Sequence, residues 1–399
     1  MKIKEIISAS LLIAGTMIGA GMLAIPLVTA KAGFIVATII TILVWAFMLI
    51  TGLLFLEATL WMDKNSNILS MSKRFLHNKG RAISGIIFIF LYYCLMVAYF
   101  AAGAPILASF IEIIMQIKID GIMIYLVYGL IFASIVGVGI KFINRINYIL
   151  MCALIISYIT IIFAGSSLIS LDRLFASSSA NIFISIPILF TSFGFHNVIP
   201  SLTFHFKENV KVMKYAIIIG SVIPLIIYIV WQLLIIGSIP LNLIENTLKE
   251  GKPITDAIQS LTNVLWIKQF SKIFSLFAII TSMLGVSFSV VDFLGDGFKL
   301  KRHGKDRFFL ILLTFIPPFI LASLDPSIFV VAIGVAGGFG EAYLNGILPA
   351  LLVYKGRYVD KIKAKFKVFG GKFTLFSIIL LGSLVILLEF IFLIKKYFV

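Results

Sequence analysis

The stretch that decides the fold is AGTMIGAGML, residues 14–23, in the middle of the first long apolar run. It places three glycines, Gly15, Gly19 and Gly21, within seven residues. Each glycine weakens a helix by about 1 kcal/mol relative to alanine. One interpretation is close helix packing, since Gly15 and Gly19 form a small-xxx-small pair. The other is a helix break, where polar groups from elsewhere replace the lost backbone hydrogen bonds.

The composition indicates a protein that is surrounded mainly by lipid. Hydrophobic residues make up 61% of the 399 residues, charged residues make up 13%, and the mean hydropathy is +1.13. A water-soluble domain cannot bury so much apolar surface. Two cysteines and four scattered histidines exclude a disulfide framework and disfavour a multi-histidine metal site. We therefore expect no cofactor.

Apolar segments long enough to cross about 30 Å of hydrocarbon recur along the whole chain. There are eleven, with approximate limits 6–30, 32–60, 82–115, 122–140, 148–169, 182–204, 215–237, 270–293, 308–323, 328–352 and 373–394. They are continuous and too long to be strands of a membrane barrel. The sequence therefore predicts an all-α integral membrane protein with 11 transmembrane helices.

The net charge of +16 is distributed unevenly between the two sides of the membrane. If the N-terminus is cytoplasmic, 24 of the 33 lysines and arginines lie in the inner connections. This positive-inside bias predicts a cytoplasmic N-terminus and a periplasmic C-terminus. The basic loops then face anionic lipid, and we expect no nucleic-acid partner.

A second interruption lies in the sixth segment, FTSFGFHNVIPS, residues 190–201. Both interruptions fall near the middle of their segments, at the head of two successive sets of five. Because five is odd, the second set enters the membrane inverted, and paired broken helices of this kind indicate a transporter site at the midplane. We expect a first repeat over 6–169, an inverted repeat over 182–352 and an extra helix over 373–394, within a single domain, 1–399.

A zwitterion fits the ends that such breaks create. The half-helix that starts near Met22 directs N–H groups towards the site, where they suit a carboxylate. The half that ends near Thr16 offers carbonyl groups to an ammonium group or a cation. The sixth segment repeats this geometry, so the predicted ligand is an amino acid.

Three stretches resemble a known family. LIAGTMIGAGMLAIPLVTAKAGF (12–34), PILFTSFGFHNVIPSL (187–202) and TSMLGVSFSVVDFLGDGF (281–298) are similar to the bacterial aromatic amino acid permeases, which are specific for tyrosine or tryptophan. The resemblance implies a leucine-transporter-type fold with broken helices 1 and 6, an inner-membrane location and proton-driven uptake, with tyrosine as the first choice of substrate. A tryptophan-specific or broader neutral amino acid permease, and sodium coupling, remain alternatives.

Candidate substrate-binding residues surround the two interruptions and lie on the third segment. They are Thr16, Ile18, Gly19, Ala20, Gly21, Tyr93, Met96, Phe190, Thr191, Ser192, Phe193, Gly194 and Phe195. Phenylalanine rings can stack on an aromatic substrate, although a chain with 37 phenylalanines places some of them near any site. Tyr93 can bond a phenol, or it can belong to an interfacial aromatic belt.

Two ionisable residues near the midplane are candidates for proton coupling. Glu341 lies at the centre of the tenth segment among five glycines, where a charge is costly unless it is paired. His196 has an imidazole that titrates near neutral pH. Each has a structural alternative, a hydrogen bond that only satisfies its neighbours. Ser287 in the eighth segment is the candidate for an ion site. Clustered catalytic residues at one depth are missing, which disfavours an enzyme.

Overall fold

The computed structural model describes residues 2–64, 66–175, 182–261, 264–301 and 303–398, and these ranges contain helices and no strand. The helices are α1 (Lys2–Met17), α2 (Gly21–Thr29), α3 (Phe34–Thr59), α4 (Ile68–Met115), α5 (Gly121–Val138), α6 (Ile140–Ser166), α7 (Leu171–Phe175), α8 (Ser185–Ser192), α9 (Ile199–His205), α10 (Val210–Ser238), α11 (Leu241–Lys249), α12 (Thr255–Leu261), α13 (Leu265–Phe298), α14 (Gly304–Leu324), α15 (Phe329–Val335), α16 (Leu348–Tyr354) and α17 (Gly371–Phe398). Within the described ranges, ten spans are long and apolar enough to cross a membrane, and the bent pair α1–α2 makes eleven. The all-α prediction is confirmed.

The first span is broken, as its glycines predict. Helices α1 and α2 are bent by 59° across the residues between Met17 and Gly21. A Cβ on Gly19 would overlap the Ser282 hydroxyl of α13, and one on Gly21 would lie 2.6 Å from the Ser192 hydroxyl of α8. Close packing therefore accompanies the break, and it uses Gly19 and Gly21.

The sixth span is broken at the same relative position. Helix α8 ends at Ser192, a short 3-10 turn covers His196–Val198, and α9 begins at Ile199. Pro200 stands in the first turn of α9, where its missing N–H has no helical partner to lose. The two breaks face each other through the contact between Gly21 and Ser192.

The tenth span contains a long π-helical segment, Ala336–Ile347, between α15 and α16. Three glycines of this segment, by having no side chain, each leave space for close contact with a different helix. A Cβ on Gly337 would overlap the Pro187 carbonyl oxygen of α8, one on Gly338 would overlap a side chain of α17, and one on Gly340 would lie 2.7 Å from a side chain of α4. The glycine run therefore allows the sixth, third and eleventh spans to pack closely around this segment.

Different contacts hold the helices together at the two ends of the bundle. At one end the segment between α11 and α12 is attached to the first span, because the Ile254 N–H donates to the Leu23 carbonyl oxygen of α2 at 3.3 Å. At the other end Glu57 of α3 is fully buried. It accepts a hydrogen bond from Arg357 Nε at 2.6 Å and another from the Val368 N–H at 2.9 Å. The second and tenth spans are thereby tied to the loop before α17.

Candidate functional site

A cavity of about 910 Å³ lies between the two breaks. This volume falls within the range of about 300–1,000 Å³ that is typical of small-molecule sites. Its lining includes many of the residues predicted from the sequence: Thr16, Ile18, Gly19, Ala20, Gly21, Thr191, Ser192, Gly194 and Glu341. The fold therefore brings the first, sixth and tenth spans together around one space, while the binding role of these residues stays a prediction.

The cavity reaches one side of the bundle. Its lining continues from the breaks to residues 66–70 and Lys73 at the start of α4, and to Asp296 at the end of α13. On the opposite side, the Ile254 N–H, just before α12, donates to the Leu23 carbonyl oxygen of α2. The cavity thus opens towards the side where α3 and α13 end and α4 begins.

The break in the first span is held by α13. The Ala20 N–H donates to the Ser282 hydroxyl oxygen at 3.4 Å, and the same hydroxyl donates to the Ala278 carbonyl oxygen at 3.1 Å. One N–H group that unwinding released thus has an acceptor. Ser282 and Ser289, seven residues apart on one face of α13, both line the cavity. The predicted ion-site residue Ser287 is fully buried outside this lining and donates to the Leu284 carbonyl oxygen of its own helix at 3.2 Å.

Glu341 meets the break in the sixth span. Its carboxyl lines the cavity, and the Asn345 side-chain amide donates to it. A Cβ on Gly194 would lie 2.7 Å from Glu341 Oε1. A residue larger than glycine at position 194 would therefore push this carboxyl away from the break.

The face of α4 that lines the cavity differs from the face expected from the sequence. Tyr92 and Tyr99 line the cavity, and the Asn197 amide donates to the Tyr92 hydroxyl oxygen at 3.2 Å. Tyr93 points elsewhere and donates to a backbone carbonyl of α14 at 2.9 Å. Met96 is fully buried in the core. In this conformation Tyr93 and Met96 do not line the cavity, because helix packing turns the neighbouring face of α4 towards it, and their binding role stays a prediction.

The three phenylalanines predicted around the sixth-span break pack into the protein and are not part of the cavity lining. Phe190 contacts a ring of α3 at a centroid distance of 5.0 Å, and Phe193 contacts Tyr228 edge-on at 5.1 Å. Phe195 occupies the space that Gly52 leaves, where a Cβ would lie 2.5 Å from its ring. The aromatic residues that do line the cavity include Phe55, Phe88, Phe288 and Phe293. These four rings lie far in sequence from the sixth-span break, so the residues around the break could not predict them.

His196 also turns away from the cavity. It is fully buried, and its Nε2 lies 3.0 Å from the Thr51 hydroxyl oxygen of α3. Its Nδ1 has no hydrogen-bond partner among the described residues. The ring of Phe55 lies edge-on to the imidazole at 6.0 Å. His196 therefore sits behind the cavity wall, against the second span.

A multi-span helical protein with a partly polar cavity between two broken helices has the construction of a membrane transport protein. Comparison with known proteins agrees with this class. The chain belongs to the tryptophan/tyrosine permease family, whose model matches residues 2–389.

The relatives include proteins named for both substrates. The chain is 33% identical to the tyrosine-specific transport system 1 of Haemophilus influenzae, over 96% of each chain. It is 30% identical to the tryptophan-specific transport protein of the same organism, over 96% of this chain and 95% of the relative. It is 32% identical to the low affinity tryptophan permease of Escherichia coli (strain K12), over 95% and 94%. The chain is therefore a multi-pass bacterial permease and not an enzyme.

Proposed function

We propose that this permease imports an aromatic amino acid, with tyrosine as the first choice, by proton symport through alternating access. The single observation that carries the proposal is the cavity between two broken helices, with the Glu341 carboxyl at one of the breaks. The family supplies the substrate class, and the cavity supplies both polar backbone and aromatic walls.

The substrate carboxylate is assigned to the start of α2, where the positive end of the helix dipole favours an anion. The predicted residues Thr16, Ile18, Gly19, Ala20 and Gly21 supply backbone at this break. The ring is assigned to the aromatic part of the cavity. Tyr92 and Asn197 supply polar atoms within it that suit a phenol hydroxyl or an indole N–H.

The proton is assigned to Glu341. A carboxylate at this depth is costly unless it is paired or protonated. When the cavity faces outward, the carboxyl takes up a proton together with the substrate, and when the cavity faces inward it releases the proton. His196 is less suited to this step than Glu341, because it faces the second span and not the cavity.

The conformation described here is assigned as open to the cytoplasm. The cavity reaches the connections that carry most lysines and arginines, and the positive-inside bias places these inside, with the N-terminus cytoplasmic and the C-terminus periplasmic. Alternating access is assigned to two inverted halves, 6–169 and 182–352, that move around the broken helices, with 373–394 outside the repeat. The bacterial inner membrane is the assigned location.

Two alternatives have specific support. Some relatives are named for tryptophan, whose indole offers one donor where tyrosine offers a hydroxyl. Sodium in place of the proton is the second alternative, because hydroxyls of α13 line the cavity beside the first-span break.

The test is uptake of labelled tyrosine into proteoliposomes with an imposed proton gradient. We expect accumulation that a protonophore abolishes and that added sodium does not change. E341Q should exchange tyrosine across the membrane without accumulating it. E389Q is the matched control, because Glu389 of α17 is also buried in a membrane span but packs against Gly338 and does not line the cavity.

Competition by tryptophan, phenylalanine and leucine ranks the substrates. If leucine competes as well as tyrosine does, the substrate class is broader than aromatic amino acids. Accumulation by E341Q with the pH dependence of the wild type would show that Glu341 does not carry the coupled proton.

A further inference from the structure

Helix α10 runs along both halves of the broken first span. Towards its N-terminal end it approaches α1 closely, since a Cβ on Gly220 would lie 2.8 Å from the Ser10 carbonyl oxygen. Further along it holds α2, because the Thr29 hydroxyl donates to Gln232 Oε1 at 3.1 Å. Tyr228 lies between these two contacts on the same helix. The seventh span therefore packs against both sides of the bend in the first span. Tyr228 lies on this helix at the height of the bend.

The hydroxyl of Tyr228 reaches both breaks at once. It lies 2.6 Å from the Met17 carbonyl oxygen and 2.9 Å from the Ser192 carbonyl oxygen. Met17 is the last residue of α1, and Ser192 is the last residue of α8. The side chain is fully buried, and its ring packs edge-on against Phe193 at 5.1 Å.

Two helix C-termini that converge inside a membrane protein present an electrostatic problem. Their last carbonyl groups have no partner within the helix, and they carry the negative end of the helix dipole. Such carbonyl groups need a donor or a cation, because an unpaired polar group is costly where there is no water. The Tyr228 hydroxyl has one proton, which it donates to one carbonyl or shares between both.

We propose that Tyr228 is a positioning residue that joins the carbonyl ends of the two broken helices. Its hydroxyl proton supplies the partial positive charge that a bound cation would otherwise provide between them. The breaks of the first and sixth spans therefore open and close as one unit. The movement of this unit during substrate transport rests on the proposed function. The connection through the Tyr228 hydroxyl, called the join below, does not.

The join is tested by hydrogen exchange of the purified protein without substrate. In Y228F the ring remains and the hydroxyl is lost. We expect peptides covering residues 14–24 and 188–200 to exchange about tenfold faster than in the wild type, both together, because one hydrogen bond served both ends. Y158F is the matched control, since the Tyr158 hydroxyl donates to the Ile227 carbonyl oxygen of the uninterrupted helix α10 at 3.0 Å.

The inference is wrong if Y228F accelerates exchange at only one break or at neither, or if Y158F accelerates both equally. A second measurement uses the wild type alone and so does not depend on the folding of a variant. In increasing denaturant, the two peptides should open in a single step with the same denaturant dependence. Separate openings would show that the breaks are not joined. Because no substrate is present, these results stand apart from the transport assay.

For transport, Y228F should lower the maximal rate of tyrosine exchange by about tenfold relative to Y158F, after both rates are normalised to folded protein. A merely structural hydroxyl would lower the amount of folded protein and leave the normalised rate unchanged.

Discussion

The contact between the sixth and tenth spans makes Gly337→Ala a sharp test of the site. The alanine Cβ would overlap the Pro187 carbonyl oxygen, and it would lie 2.5 Å from the Thr191 hydroxyl oxygen. A close carbon–oxygen contact is about 3.3–3.6 Å. The carbonyl belongs to backbone and cannot rotate away, so α8 and the π-helical segment must separate by about 1.5 Å to restore that contact.

The expected effect follows from that separation. Overpacking of a close-packed interior costs about 1–3 kcal/mol. Glu341 lies one helical turn beyond Gly337, and α8 carries the sixth-span break. A displacement of about 1 Å in a positioned site lowers rates by about a hundredfold. We therefore expect a lower melting temperature and an initial tyrosine uptake reduced by one to two orders of magnitude.

The assay is uptake into proteoliposomes, together with thermal unfolding of the purified protein. Gly346→Ala is the matched control in the same π-helical segment, because its Cβ would make an ordinary contact of 3.4 Å with a ring of α3. We expect the control to retain uptake close to that of the wild type. If Gly337→Ala melts and transports like the wild type, the close approach of these two spans does not position the site.

Further predictions concern the two ends of the bundle. Arg357→Ala leaves the fully buried Glu57 carboxylate without its partner, and it should lower the free energy of unfolding by about 3–5 kcal/mol in denaturant titration. Adding Glu57→Gln should restore part of that loss, and no restoration would contradict the ion-pair explanation. On α12, burial raises the pKa of the Asp256 carboxyl above its ordinary value of 3.8, and Lys252 and Lys272 offset this only in part. The native state therefore binds the proton more tightly than the unfolded state, so stability present in acid is lost as the pH rises through the raised pKa. D256N should thus melt higher than the wild type at neutral pH and equally in acid, and a pH-independent difference would contradict this.

The site residues separate by the kind of signal that they carry. Glu341 and the glycines of the two breaks could be found from the sequence, because a carboxylate or a cluster of glycines is unusual within an apolar segment. The sequence could not show that the cavity is lined by Tyr92, Tyr99 and Ser282. It offered Tyr93, Met96 and Ser287 equally well. These helices are apolar on most faces, so no amphipathic stripe marks the side that faces the cavity.

The amino-acid sequence by itself determined the membrane class, the all-helical structure, the position of both breaks and the family. Each of these depends on apolar length, glycine clusters or local motifs, which are properties of contiguous residues. Only the tertiary structure decided which face of each helix lines the cavity, that His196 turns towards the second span, and that Tyr228 meets the carbonyl ends of both breaks. The physical reason is that helix rotation and contacts between distant residues are set by packing among all the spans, and no single segment encodes them.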